Sequence, residues 1–152
     1  MRLSAKADYA VRAAVELAAA ADDGPVKGEA IATAQGISLK FLENILSELR
    51  HSGIVASRRG ADGGYWLARP ADEITVADVM RAVEGPLASV RGEAPERVSY
   101  DGAATALPRV WIALRSNLRA VLETVTLADI AAGELPARIE RLAADPESWL
   151  TR

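Results

Sequence analysis

Apolar residues recur at helical spacing from the start of the chain. Leu3, Ala7, Ala10, Val11, Ala14, Leu17 and Ala18 share a face, and Ser4 stands where an N-cap belongs, so residues 5–21 are predicted to form a first helix. Asp22-Asp23-Gly24-Pro25 ends it. A short helix is expected at 28–34, through Glu29, Ala30, Ile31 and Ala32, followed by a tight turn at Gln35-Gly36. Ser38 is placed to cap a third helix in which Leu39, Leu42, Ile45, Leu46 and Leu49 share one side, and Ser52-Gly53 stop it. Two short β-prone runs, at 54–58 and 65–67, then flank the turn Arg59-Gly60-Ala61-Asp62-Gly63-Gly64 and predict a β-hairpin.

Thr75 opens a fourth helix with Val76, Val79, Met80 and Val83, ended by Gly85-Pro86. Residues 86–104 carry Gly, Pro and small polar residues without periodicity and are read as a loop. A long helix is expected over 105–125, with Pro108 in the first turn, where its missing N–H costs little. A short helix at 127–132 and a C-terminal segment at 136–150 complete the chain. Two short helices joined by a Gly turn form a helix-turn-helix, and a hairpin directly after it is a wing. The expected fold is therefore mainly α: a winged helix-turn-helix over 1–85, a loop over 86–104 and a helical dimerisation region over 105–152.

Charge qualifies this picture. The net charge is −3, but residues 1–70 sum to +1 and residues 71–152 to −4. What matters for nucleic acid is the field at the contact face, and an acidic body with a locally basic edge is compatible with DNA. There are no cysteines, so disulfides, thiolate metal sites and cysteine redox sensing are excluded. Arg2 and Lys6 lead into an amphipathic stretch carrying Asp8, Arg12 and Glu16 rather than an apolar leader, and no window reaches the roughly 20 apolar residues of a membrane span. A soluble cytoplasmic protein is expected. One His, no Cys, and neither a P-loop, a dinucleotide fingerprint nor a nucleophile elbow argue against an enzyme. His51 is expected to be a surface or packing residue rather than a metal ligand.

Opposite the apolar stripe of the third helix lie Lys40, Glu43, Asn44 and Ser47. Asn pairs with adenine, Glu accepts from cytosine N4, and Ser38 and Lys40 reach bases or phosphates. The same pattern alone also fits the solvated face of any surface helix. Arg58 and Arg59, at the start of a hairpin whose tip holds Gly60, Gly63 and Gly64, tip the balance toward DNA. Trp66, on the second hairpin strand, is expected to turn inward or toward a neighbouring helix.

In the long helix Leu107, Trp111, Leu114, Leu118, Val121 and Val125 alternate at steps of four and three, as in a coiled-coil seam. A stripe facing the helix's own domain would show the same spacing, and Val110 and Leu122 offer contacts on further sides. Trp111 is expected either to line a pocket near the dimer helix or, as the plainer account, to pack in the core, and Trp149 is a candidate docking anchor.

Three stretches together resemble a known family. Leu3-Ser4-Ala5-Lys6-Ala7-Asp8-Tyr9-Ala10-Val11-Arg12-Ala13 resembles the opening of the IscR/NsrR-type (Rrf2) regulators of bacteria. So do Ile31-Ala32 followed by Gly36-Ile37-Ser38-Leu39-Lys40-Phe41-Leu42-Glu43, and Arg58-Arg59-Gly60-Ala61-Asp62-Gly63-Gly64-Tyr65 with Leu67-Ala68-Arg69-Pro70 and Ile74–Val79 after it. The likeness is nearly continuous over 1–85. It implies a homodimeric transcription regulator, a repressor by family habit, on a pseudo-palindromic operator in double-stranded DNA. By position, Ser38, Lys40, Glu43 and Asn44 fall on the recognition helix, Arg58, Arg59 and Gly60 on the wing, and Ser4, Lys6, Tyr9 and Lys27 near the phosphate backbone. Many members hold an iron–sulfur cluster on three cysteines in the loop before the long helix. Here that loop has none, which implies the cluster-free branch, with a small molecule or a protein as signal. Asp8, a cluster-ligand position in some relatives, is then expected to be a first-turn carboxylate favouring its helix. The competing reading is a winged-helix protein-interaction module that depends on a partner protein.

Overall fold

The computed structural model describes residues 1–152. The elements follow in the order α1 (Ala5–Ala19), α2 (Gly28–Gln35), α3 (Leu39–His51), β1 (Val55–Arg58), β2 (Gly64–Leu67), α4 (Val76–Glu84), α5 (Leu107–Leu122), α6 (Leu127–Ala132) and α7 (Ala137–Ala144). No helix is long and apolar enough to cross a membrane.

α1 is the central helix, packed by α3, α4 and α6. Its inner face is Ala7, Ala10, Ala13, Ala14 and Leu17, and the four alanines let three helices approach it closely. The Ser4 hydroxyl accepts the Ala7 N–H at 3.0 Å, capping the helix, and Asp8 supplies the first-turn carboxylate, paired with Arg12 at 3.0 Å. α2 stops at Gly36, whose φ of +62° is the left-handed conformation that ends helices. α3 buries Leu42, Ile45, Leu46 and Leu49. Ser38 holds the N-cap position of α3, yet its side chain makes no capping bond.

β1 and β2 pair antiparallel, from Val55 opposite Leu67 to Arg58 opposite Gly64. The segment before α2 extends this sheet: Val26 and Tyr65 exchange two N–H···O bonds of 2.8 Å. Tyr65 and Leu67 pack on the core, so the strand's alternation turns Trp66 outward, 37% exposed, rather than inward.

The second half departs from expectation at its ends. α5 closes at Leu122, short of 125, because the chain there turns back to the core. Val76 N–H bonds to Val125 O at 3.0 Å and Leu127 N–H to Ile74 O at 2.9 Å. Thr75 and Thr126 thus sit side by side, and each opens a helix with a capping box, closed by Asp78 and Asp129 respectively. Leu127 is fully buried in the same core as the inner face of α1. Thr75→Ala and Thr126→Ala are each expected to lower unfolding free energy by about 1 kcal/mol. Urea titration followed by circular dichroism checks this.

The 86–104 segment has no helical periodicity but is built on turns. Val90 and Glu93 exchange backbone bonds of 2.8 and 3.0 Å, and 3-10 turns form at Pro95–Arg97 and Gly102–Ala104. Trp111 Nε1 donates to the Tyr100 hydroxyl at 3.3 Å, and Arg115 pairs with Glu96 at 2.5 Å, pinning this segment to α5. A backbone amide at Glu96 and the Arg115 guanidinium hold the Glu96 carboxyl below its ordinary range.

Candidate nucleic-acid interface

Three pieces meet at Gly28, the first residue of α2. A Cβ there would lie 3.6 Å from Leu39, at the start of α3, and 3.7 Å from the Tyr65 ring on β2. The beginning of α3 and the base of the hairpin are thus seated on one point. Lys27, just before it, donates from Nζ to Gly60 O at 2.7 Å, tying the wing tip to the helix-turn-helix. Within the wing, Gly63 N–H bonds to Gly60 O at 3.0 Å, and the Arg58 guanidinium donates to Asp62 O at 3.1 Å.

The polar residues of α3 lie as the periodicity requires. Ser38, Lys40, Glu43 and Asn44 are exposed and Ser47 is half-buried, while the leucines and isoleucines behind them are sealed. Arg58, Arg59 and Gly60 are exposed on the wing. Lys27, Lys40, Arg58 and Arg59 have no carboxylate partner, unlike Lys6, Arg12 and Arg69 in the same half of the chain. Cations left unpaired on exposed elements are free to replace the counterions of a phosphate backbone.

The residues expected near phosphate at the N-terminus are engaged within the chain. Ser4 caps α1 and donates to the Glu84 carboxylate of α4. Lys6 pairs with Glu48 of α3 at 2.8 Å. The Tyr9 ring meets Phe41 edge-on at 5.6 Å, with the Arg12 guanidinium 5.1 Å from its centre. Arg12 Nε also donates to Gln35 Oε1 at 2.9 Å, linking α1 to the end of α2. These contacts set α3 on α1. Gly28 and Val26, which place the wing, are not marked by spacing. A buried glycine opening a helix and one valine after Pro25 carry no periodic signal.

The proposed seam residues occupy different environments. No residue of the 16-residue α5 is buried. Trp111, Leu114 and Leu118 line a cavity against Met80 of α4, Leu107 and Val121 are half-buried, and Val110 is 55% exposed. Val125 lies beyond α5 and is buried in its own chain, so it is closed to any partner.

Residues 3–133 match the family model Rrf2, described as iron-dependent transcriptional regulator. The chain is 54% identical over 145 residues to Rv1287 of Mycobacterium tuberculosis, covering 95% of this chain and 90% of that protein. Among solved structures it is similar to CymR (YrzC), the global cysteine regulator of B. subtilis, with TM-score 0.75 and 35% identity over 88% of this chain and 98% of that one. T. potens IscR superposes with TM-score 0.69 at 32% identity, covering 100% of this chain and 93% of that one. The residues here do not fit an iron–sulfur cluster. The sequence has no cysteine, no three His, Asp or Glu side chains gather to hold an ion, and His51 Nδ1 lies 2.7 Å from the Ser47 carbonyl. With a helix-turn-helix, a braced wing and unpaired cations on both, the chain belongs to the Rrf2 family of DNA-binding transcription regulators.

Proposed function

We propose that the protein acts in the cytoplasm as a homodimeric repressor on a pseudo-palindromic operator, by binding rather than catalysis and without an iron–sulfur cluster. The observation that carries this reading is the bracing of the wing to the start of α3 around Gly28, with Lys40 and Arg59 exposed and unpaired. The first turns of α3 enter the major groove, Asn44 reads adenine and Glu43 accepts from cytosine. Ser38, with its hydroxyl unspent on capping, and Lys40 reach bases or phosphates. Arg59 enters the minor groove, where a narrow groove deepens the negative potential. Lys6 and Tyr9 act mainly by holding α3 on α1, and Ser4 by capping α1, which differs from direct phosphate contact.

A single winged helix makes few contacts, so two are needed, and α5 supplies the seam. A helix with four turns, many apolar residues and none buried is incomplete as a single chain. Arg115, on one edge of its apolar band, faces its own chain through Glu96. The opposite edge, Leu107, Val110 and Val121, is the face for a second copy, with Leu114 between that edge and the cavity. A small molecule or a protein then sets the spacing of the two readers.

The test is fluorescence anisotropy of a duplex taken from upstream of the protein's own gene, at two salt concentrations, against a scrambled duplex. Preference for the native duplex, two chains per duplex and a steep salt dependence are expected. Arg59→Ala weakens that binding by about 1–3 kcal/mol. Absence of binding to any duplex at low salt rejects the reading in favour of a protein-interaction module.

A further inference from the structure

Between the start of the chain, the end of α4 and α5 lies an open-sided cavity of about 570 Å³. Small-molecule sites typically span roughly 300–1,000 Å³. Ten of its sixteen lining residues are hydrophobic, among them Met80, Trp111, Leu118 and Leu122, so an occupant must be largely apolar. Its charged lining residues are Arg2, Arg91 and Glu84. Glu84 already accepts the Ser4 hydroxyl, whereas neither arginine has a carboxylate partner. The lining therefore holds two arginines without a carboxylate partner beside an apolar wall, Arg91 with its guanidinium 6.0 Å from the centre of the Tyr100 ring.

The wall that carries Arg91 is strained. Ala88 and Arg91 both adopt positive φ, +56° and +54°, a region L side chains rarely enter. Such residues persist where surrounding structure holds them, and they concentrate at ligand clamps. Here the Val90–Glu93 backbone pair holds Arg91 in place.

We propose that this cavity binds a small amphipathic anion, an apolar body carrying one carboxylate, with the body against α5 and the carboxylate on Arg91 and Arg2. The regulatory consequence rests on the repressor reading above. Glu84 joins the cavity to Ser4, Ser4 caps α1, and Lys6 in the first turn of α1 pairs with Glu48 of α3. An anion settling beside Glu84 repels its carboxylate and bears on the Ser4 contact, and so on the seat of the recognition helix.

The test is isothermal titration of the full chain with octanoate, and with octan-1-ol as the uncharged counterpart. Arg91→Gly is the variant, because glycine accepts the positive φ and the fold is kept. Octanoate is expected to bind saturably and at least tenfold more tightly than octanol. Arg91→Gly lowers octanoate affinity at least tenfold and leaves octanol unchanged. No saturable octanoate binding, equal binding of acid and alcohol, or an unaffected variant each overturns the proposal. A second copy seated in the cavity would give a dimer that takes up no octanoate, and overturns it too. Operator binding is measured on the same samples. Intact operator binding without octanoate uptake removes the ligand site alone, and octanoate uptake without operator binding removes the repressor reading alone.

Discussion

Replacing Val110 with glutamate is expected to leave a folded chain that no longer pairs and no longer holds its operator tightly. Val110 is the fourth residue of α5 and 55% exposed in the single chain, so the new carboxylate meets water there. It also stands near the N-terminus of the helix, where negative charge is favoured by the helix dipole. At a two-fold seam the same substitution buries two carboxylates against apolar side chains without partners. An uncompensated buried charge costs about 3–5 kcal/mol, more than a hundredfold in an association constant. Sedimentation velocity should therefore show half the wild-type mass, with unchanged helix content by circular dichroism and operator affinity weakened by more than a hundredfold. A dimer of undiminished stability would take this edge of α5 out of the seam.

The second large effect is expected at the base of the wing. Gly64 has a φ of +146°, and a Cβ on it would lie 2.6 Å from the carbonyl oxygen of Val26. That oxygen accepts the Tyr65 N–H, so the clash and the bond that joins the wing to the chain before α2 share one atom. Gly64→Ala should cost about 3 kcal/mol from overpacking and backbone strain combined. It should also loosen the operator, because Arg58, Arg59 and Gly60 lose their support. Gly60→Ala is the contrasting variant. Gly60 also has a positive φ, +104°, but a methyl group there would meet no atom within 4 Å, so only the strain is incurred. Urea midpoints should fall distinctly further for Gly64→Ala than for Gly60→Ala. Equal midpoints would show that the close approach at Val26 is not what requires the glycine.

Most of the reading half of the molecule is legible from residue spacing, for a physical reason. α1, α3 and α4 bury a single side, so their apolar residues repeat every three or four positions, and Ser4 and Thr75 mark two starts with side chains that accept backbone N–H groups. The hairpin is legible because its glycines stand where the backbone must turn or pass close. What escapes are features that depend on residues far apart in the chain. Nothing local shows that Val125 pairs with Val76, so the apolar step continuing past Leu122 looks like more helix. Nothing local shows that Lys6 meets Glu48 or that Ser4 meets Glu84. Trp66 is misplaced by spacing alone because a four-residue strand alternates either way until its partner fixes which side is inside, and here Tyr65 and Leu67 take the core. The strained turn at Ala88 and Arg91 leaves no mark at all, since neither residue type signals positive φ.

The central claim is that two copies of this chain read one two-fold symmetric stretch of duplex. Selection of bound duplexes from a random-sequence library by the purified protein tests it most directly, with no prior choice of operator. The expected product is an inverted repeat whose half-site centres lie about 34 Å apart or a multiple of that, a whole number of helical turns. Enrichment of a single unrepeated site, or no enrichment over the starting library, would contradict it.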